Sequence, residues 1–309
     1  MNERARVTVF APATVANLGP GYDVIGLALE QPGDRVTARR VDQPGVRLLQ
    51  VTGPFALPPA SDDNTAAVAA RLVLELLGAP FGVELDLDKG LPLGSGLGSS
   101  GASAAAAAAA VNLLAGAPLT PEALVAPCAR AEAAACGAAH PDNVAPALLG
   151  GITLLRQGEV IPIRSALELC VAVVSPHQEL PTRAARAAIP AEVPVGEATA
   201  NAASLAAMVY GLATGDAALV GRALVDRIAE PRRAPLIPGF AGAKAAALEA
   251  GALGASISGA GPTVFALCQG RPAAERAGTA MEAAFRQLRI EVTLRVSAVA
   301  ARGAREVAE

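Results

Sequence analysis

The sequence predicts two α+β domains, residues 1–165 and 166–309, on three observations. A strictly alternating run, Val83-Glu84-Leu85-Asp86-Leu87-Asp88, reads as a half-exposed strand and leads into an alanine-rich helical stretch. After Gly150-Gly151 the pattern turns to strand-like runs at 152–155 and 169–174. The second half then alternates helical stretches with a strand pair joined by Gly259-Ala260-Gly261-Pro262. Strands mixed with helices in both halves give this architecture.

In chain order, the strand at 83–88 is followed by a loop from Lys89 to Ser100 and a helix over 101–115. Thr120 as N-cap with Pro121 at the first helical position starts another helix, in which Pro127 predicts a kink or a restart. Helices are predicted over 198–213, 217–229, 241–250 and 273–288, with a break at Thr214-Gly215-Asp216 and a proline-rich connector over 231–238. The strand pair is 255–258 and 263–267, and a final strand covers 291–298.

Composition narrows the function. With 52% apolar and 17% charged residues over 309 positions, the chain can bury a core and is not disordered. Lys+Arg of 25 against Asp+Glu of 28 leaves −3, too even a balance for a nucleic-acid platform. The uncharged stretch 90–121 is long enough to span a bilayer. It opens with Pro92 and several glycines, carries four serines and Asn112, and is otherwise mostly alanine, so no membrane span is expected. The start, Met1 to Arg6, has no apolar signal segment. Cys128, Cys136, Cys170 and Cys268 have no zinc spacing and read as buried thiols of a cytoplasmic protein.

The strongest local signal is Pro92-Leu93-Gly94-Ser95-Gly96-Leu97-Gly98-Ser99-Ser100-Gly101-Ala102, between a strand and a helix. Glycines let the backbone approach a ligand and a helix start offers free N–H groups, so phosphate is the natural guest. Residues 96–101 match the dinucleotide pattern GxGxxG, but that pattern follows directly on a buried strand, and here a half-acidic strand and a spacer precede it. Residues 98–102 nearly match a nucleophile elbow, yet Ala102 replaces its last glycine and the chain has only His140 and His177. A Walker loop fails because no lysine follows the glycines; Lys89 and Lys244 are the only two in the chain.

Pro92-x3-Gly96-Leu97-Gly98-Ser99-Ser100 resembles the central motif of the GHMP small-molecule kinases. Ala13-Thr14-Val15-Ala16-Asn17-Leu18-Gly19-Pro20-Gly21-Tyr22-Asp23 resembles the family's first motif, and Gly254 to Thr263 its third, in the same order. Within the family, the Asn17 to Asp23 form, Leu236-Ile237-Pro238-Gly239 after Arg233, and His140-Pro141-Asp142-Asn143 resemble most the branch that phosphorylates L-homoserine. The resemblance implies a ribosomal protein S5 domain 2-like N-terminal domain and a ferredoxin-like C-terminal domain. It also implies ATP and Mg²⁺ as cofactors, a homodimer as a possible assembly, and a place in threonine biosynthesis. A kinase for another small alcohol, a dinucleotide-dependent oxidoreductase and a non-catalytic binder remain the alternatives.

On this reading the 92–102 loop holds the ATP phosphates, and Ser99 or Ser100 ligates the metal. Mg²⁺ also prefers a carboxylate. Glu132 is the candidate, an alanine-flanked acid with no helical counter-charge at Cys128 or Cys136. The resemblance points to the same glutamate. It further implies Arg186 and Arg233 on the substrate carboxylate, Asp23 on its ammonium with Asn17 beside it, Asn143 facing the hydroxyl, and Asn64 and Thr182 near the nucleotide. No dedicated general base is expected, since Asp142, one residue from Asn143, should point elsewhere. Gly101, where the family usually has alanine, is a departure that should loosen the helix start.

Overall fold

A computed structural model describes residues 4–55, 64–178 and 180–308 and shows the predicted α+β class as two sheets with helices packed on them. The first sheet is built from β1 (Arg6–Ala16), β2 (Ile25–Val41), β3 (Val46–Thr52), β4 (Gly82–Asp88), β5 (Ile152–Arg156) and β6 (Glu159–Ile163). Its order is β1-β2-β4-β3, antiparallel except for the parallel β3–β4 pair, with β5 on the other half of β2 and β6 beyond it. The second sheet contains β7 (Leu169–Pro176), β8 (Gly254–Ile257), β9 (Val264–Gln269) and β10 (Val292–Ala298) in the antiparallel order β10-β7-β9-β8. The chain then returns to the first sheet, where β11 (Arg305–Glu306) pairs with β1.

The alternation in β4 works as its sequence requires. Val83, Leu85 and Leu87 are buried, while Glu84 and Asp86 pair with Arg47 and Arg39 at 2.5 and 2.6 Å. Helices α1 (Thr65–Leu77), α2 (Ser99–Leu114), α3 (Val125–Cys136) and α4 (Pro141–Leu149) pack on this sheet and on one another. α2 is apolar all round because it is buried all round, which accounts for the uncharged stretch without a membrane. Among the described residues no helix is long and apolar enough to cross one.

The remaining helices are α5 (Thr182–Ala187), α6 (Val195–Thr214), α7 (Ala217–Ala223), α8 (Glu230–Arg233), α9 (Phe240–Glu249) and α10 (Arg271–Gln287). One face of the second sheet packs on α9 and α10; its other face, with Val171, Val173, Phe265 and Leu267, joins the core of the first sheet. The two sheets therefore share one continuous apolar interior.

At Pro127 the restart is found and not the kink: a short 3₁₀ turn over Glu122–Leu124 leads into α3, and Pro127 falls in the first turn of that helix, where its missing N–H costs nothing. Two local expectations are corrected. The helix predicted over 217–229 stops at Ala223, because Asp226 accepts the N–H groups of Ile228, Ala229 and Glu230 and so starts α8. The proline-rich connector over 231–238 holds the rest of α8 and a 3₁₀ turn, Ala234–Leu236. Removing the carboxylate that accepts these three N–H groups in Asp226→Ala is expected to cost about 1–3 kcal/mol of stability, read by urea unfolding; an unchanged midpoint would show that the three bonds are dispensable.

Candidate active site

The three glycine-containing segments converge. The loop after β4 crosses the end of the first sheet, and Gly94, Gly96 and Gly98 take φ of +61, +81 and +66°, which side chains rarely adopt. Thr14 N–H donates to the Leu97 carbonyl at 3.1 Å. The β8–β9 turn closes over the loop: Ser258 Oγ donates to the Gly96 carbonyl at 2.6 Å and Thr263 N–H to the Ser95 carbonyl at 3.2 Å. A Cβ on Gly96 would lie 2.4 Å from the Ser258 carbonyl oxygen, and one on Gly98 2.0 Å from Thr14 Oγ1. The loop can therefore dock only as glycine. Gly98 precedes α2 without a side-chain cap, which leaves the first-turn N–H groups of that helix facing the cavity beside it.

That cavity is lined by most of the residues picked from sequence. Asn17, Asp23, Glu132, Asn143, Thr182, Arg186 and Arg233 surround it together with Leu93, Gly94, Ser95, Gly96, Gly98, Ser99 and Ser100. Leu97 and Ala102 are instead core residues, and Gly101 lies beneath the cavity, where an alanine Cβ would meet Asn143 and Glu132 at ordinary packing distances. Pro92 holds the loop from outside by accepting the Ser95 hydroxyl at 2.9 Å. Asn64 does not line the cavity. It caps α1 by accepting the Ala66 N–H, and its neighbours Asp62 and Asp63 lie outside the described residues.

Glu132, on α3, is almost completely buried and has no cation beside it among the described residues. Ser100 Oγ donates to its Oε1 at 2.6 Å and the His140 N–H to its Oε2 at 3.2 Å. Burial pushes its carboxyl up to about 8, with the nearby Asp142 adding to the rise. A buried carboxyl hydrogen-bonded to a serine hydroxyl at the cavity wall offers oxygen donors of the kind a small hard cation takes. Among the described residues no cluster of three His, Cys, Asp or Glu could hold a metal alone, so phosphate oxygens and water would have to complete the shell. Of the two serines, Ser100 faces Glu132; Ser99 Oγ turns back to the Leu91 carbonyl at 3.2 Å.

At the other end of the cavity, the Arg186 guanidinium on α5 makes two hydrogen bonds to the Asp23 carboxylate, at 3.1 and 3.3 Å. Asp23 and Asn17 both take positive φ, +58 and +72°, and Asn17 Oδ1 accepts the Asp23 N–H at 3.1 Å, so a strained turn aims both side chains inward. Arg233 is held by the carbonyls of Ala185 and Gly259 and stacks over Tyr22. Asn143 Oδ1 accepts the Thr14 hydroxyl at 2.8 Å.

Four lining residues were not among the predicted site residues: Gly259 and Ala260 of the β8–β9 turn, and Asp142 and His140 at the start of α4. Asp142, expected to point away, lines the cavity beside Asn143, because the cavity wraps the first turn of α4 and both residues face it. Burial, with Asp23 adding, pushes its carboxyl up to about 7. His140 also lines the cavity, and burial, reinforced by Arg186, holds its imidazole below the usual value and hence neutral. The motif His140-Pro141-Asp142-Asn143 was the only signal for either. Four buried side-chain polar atoms have no partner among the described residues, and three of them, His140 Nε2, Asp142 Oδ1 and Arg186 Nε, belong to residues lining this cavity. Such groups are costly to leave unpaired, and their clustering marks a ligand site.

Comparison with known proteins agrees with this geometry. Residues 64–151 match the GHMP kinases N terminal domain and residues 208–287 the GHMP kinases C terminal family. The homoserine kinase of Chlorobaculum tepidum is 44% identical over 316 residues, covering 97% of each chain. The chain belongs to the GHMP kinase family. Another GHMP kinase relative, the homoserine kinase of Xanthomonas campestris pv. campestris, is 43% identical over 89% of this chain and 86% of its own. The crystal structure of homoserine kinase from Cytophaga hutchinsonii superposes with a TM-score of 0.95 at 40% identity, over 99% of both chains. Mevalonate kinase of L. major shares the GHMP kinase fold at a TM-score of 0.72 and 18% identity, covering 96% of this chain and 98% of its own.

Proposed function

We propose that this protein transfers the γ-phosphoryl group of ATP to the side-chain hydroxyl of L-homoserine, forming O-phospho-L-homoserine and ADP, a step of threonine biosynthesis. The observation that carries the substrate assignment is the Asp23–Arg186 pair at the cavity wall. An amino acid brings both a cation and an anion, so it can replace each half of that pair with a contact of its own: ammonium on Asp23, carboxylate on Arg186 and Arg233. An alcohol with a carboxylate only would leave Asp23 uncompensated. The names of the most similar relatives support the same assignment.

The loop and the α2 start bind the triphosphate through main-chain donors, with Thr182 at the rim. Glu132 and Ser100 would hold Mg²⁺, which when bound supplies charge neutralisation on the phosphates. Asn143, fixed by Thr14, positions the hydroxyl. As the hydroxyl oxygen bonds to the γ-phosphorus and the bond to the bridging oxygen breaks, the hydroxyl proton needs an acceptor. The sequence offers no dedicated base; the acceptor we assign is the carboxyl of Asp142, which lines the cavity and has one oxygen without a hydrogen-bond partner. The protein is assigned to a reducing cytoplasm, in keeping with the buried, unpaired thiols of Cys128, Cys170 and Cys268; the side chain of Cys136 lies outside the described residues.

The deciding experiment follows ADP release with Mg·ATP against homoserine, mevalonate, galactose and shikimate, with NAD(P)H absorbance in parallel. ADP formed with mevalonate but not homoserine would overturn the substrate; absorbance change without ADP would overturn the class. For Asp142, the ionised form is the acceptor, so kcat is expected to rise with pH through about 7. Asp142→Asn should flatten that limb and lower kcat about a hundredfold. A rising limb that survives in Asp142→Asn assigns the proton elsewhere.

A further inference from the structure

Beneath the loop, outside the cavity, lies a buried polar hub. Asp34 on β2 is fully buried, and its Oδ1 accepts the N–H groups of Gly90 and Leu91 at 3.0 and 3.2 Å. Its Oδ2 accepts the Lys89 ammonium and, at 2.6 Å, the Ser103 hydroxyl. Lys89 Nζ donates onward to the Ser99 carbonyl and to Ser103 Oγ, both at 2.9 Å. The residues joined are the first of the loop, Gly90 and Leu91, and the first two turns of α2, through Ser99 and Ser103.

We propose that Asp34, Lys89 and Ser103 act as a positioning clamp that sets the phosphate-binding shape of the 90–98 loop by tying its entry to its exit. The inference rests on the nucleotide-binding reading of that loop. Gly94, Gly96 and Gly98 all sit at positive φ and carry no side chain to hold the path, so the path depends on contacts at its ends as well as on those from Thr14, from the β8–β9 turn and between Ser95 and Pro92. Lys89 does not serve as a phosphate lysine. Its three N–H groups meet three acceptors, Asp34 Oδ2, the Ser99 carbonyl and Ser103 Oγ, inside the protein. A buried ion pair is a poor way to gain stability, since apolar residues of similar volume often do as well. Charge-assisted bonds in a shared network do, however, specify one geometry, and here the geometry specified is that of the loop. These are positioning residues: they touch the loop and not the ligand.

Steady-state kinetics and Mg·ADP calorimetry on Ser103→Ala and Lys89→Met test the clamp, with folding followed by circular dichroism. Ser103→Ala removes one link and leaves both charges paired; the KM for ATP is expected to rise about fivefold. Lys89→Met, which unties Ser99 and strands Asp34, should raise it about thirtyfold and lower thermal stability as well. Mg·ADP affinity should fall by the same factors, while the KM for homoserine stays within about twofold, a split that general loosening would not produce. Folded variants with wild-type ATP KM and Mg·ADP affinity overturn the clamp, as does a parallel rise in both KM values. If Lys89→Met fails to fold, Ser103→Ala decides alone. A wild-type protein that binds no Mg·ADP overturns the nucleotide-site reading and the clamp with it; wild-type binding with unaltered variants overturns the clamp alone.

Discussion

Glu132→Gln is expected to lower kcat/KM about a thousandfold while making the ligand-free protein more stable at pH 8. The loss follows from the role proposed for this carboxylate, the charged side chain beside Ser100 that would hold the metal. The gain follows from linkage. The folded-state carboxyl is raised from 4.5 to about 8 by burial, so between those values the folded protein binds more protons than the unfolded chain, and stability falls as pH rises through that window. Asp142, raised to about 7, acts in the same direction. Glutamine keeps the volume and can still accept the Ser100 hydroxyl, but its amide cannot accept the His140 N–H as well, a loss of about 1 kcal/mol. The relieved charge is worth on the order of 2–4 kcal/mol at pH 8, so relief wins there and shrinks towards pH 5. Thermal melts at both pH values, with and without Mg·ADP, check this: ligand should raise the midpoint of the wild type more than that of the variant. Retained activity in Glu132→Gln, or a lower midpoint at pH 8, refutes the assignment.

Arg186→Met should cost about a thousandfold in kcat/KM for homoserine with the KM for ATP unchanged, because a bidentate, charge-assisted contact to the substrate carboxylate disappears. Asp23→Asn should cost a similar amount through the ammonium, and should narrow the preference for homoserine over a carboxylate-only alcohol. The internal pair itself is weak. Both side chains are more than a third exposed, 37% and 39%, so splitting it costs no more than about 1 kcal/mol, and the melting temperature of either variant should hardly move. The double variant therefore loses nearly the product of the two effects. Normal turnover of homoserine by either single variant, or an ATP KM that shifts in step with that of homoserine, contradicts the placement of these two residues.

Much of the fold was legible wherever one face of an element meets water. β4 alternates because its acids reach Arg39 and Arg47 in solvent; α2, buried all round, was legible for a different reason, its alanine content and the glycines that precede it. β1 was not legible: ten of its eleven residues are buried, so no alternation survives, and Pro12 interrupts it. β2 is broken by Pro32-Gly33, and α4 carries Pro146 inside a nine-residue helix, so local punctuation hid elements that packing completes. At the site, the loop and the three motifs were visible as residue types. Asn64 caps α1 through its side chain and does not line the cavity, a placement that residue type alone did not show. Asp142 was misread because adjacency along a helix was taken to mean opposite directions, whereas a cavity that wraps a helix start sees consecutive residues.

What the sequence determined by itself is the chemistry that depends on backbone freedom. Glycines at 94, 96 and 98 ahead of an alanine helix are enough to mark a loop that can take positive φ and leave helix-start N–H groups without a side-chain cap, because both are local properties. What only the tertiary structure decided is where charge is placed and how it is held. Asp23 meets Arg186 across 163 positions, Lys89 is spent under the loop and not on a ligand, and Glu132 and Asp142 are lifted towards neutral pH by burial. Desolvation and Coulomb interactions depend on what surrounds a group in space, and no spacing along the chain encodes that.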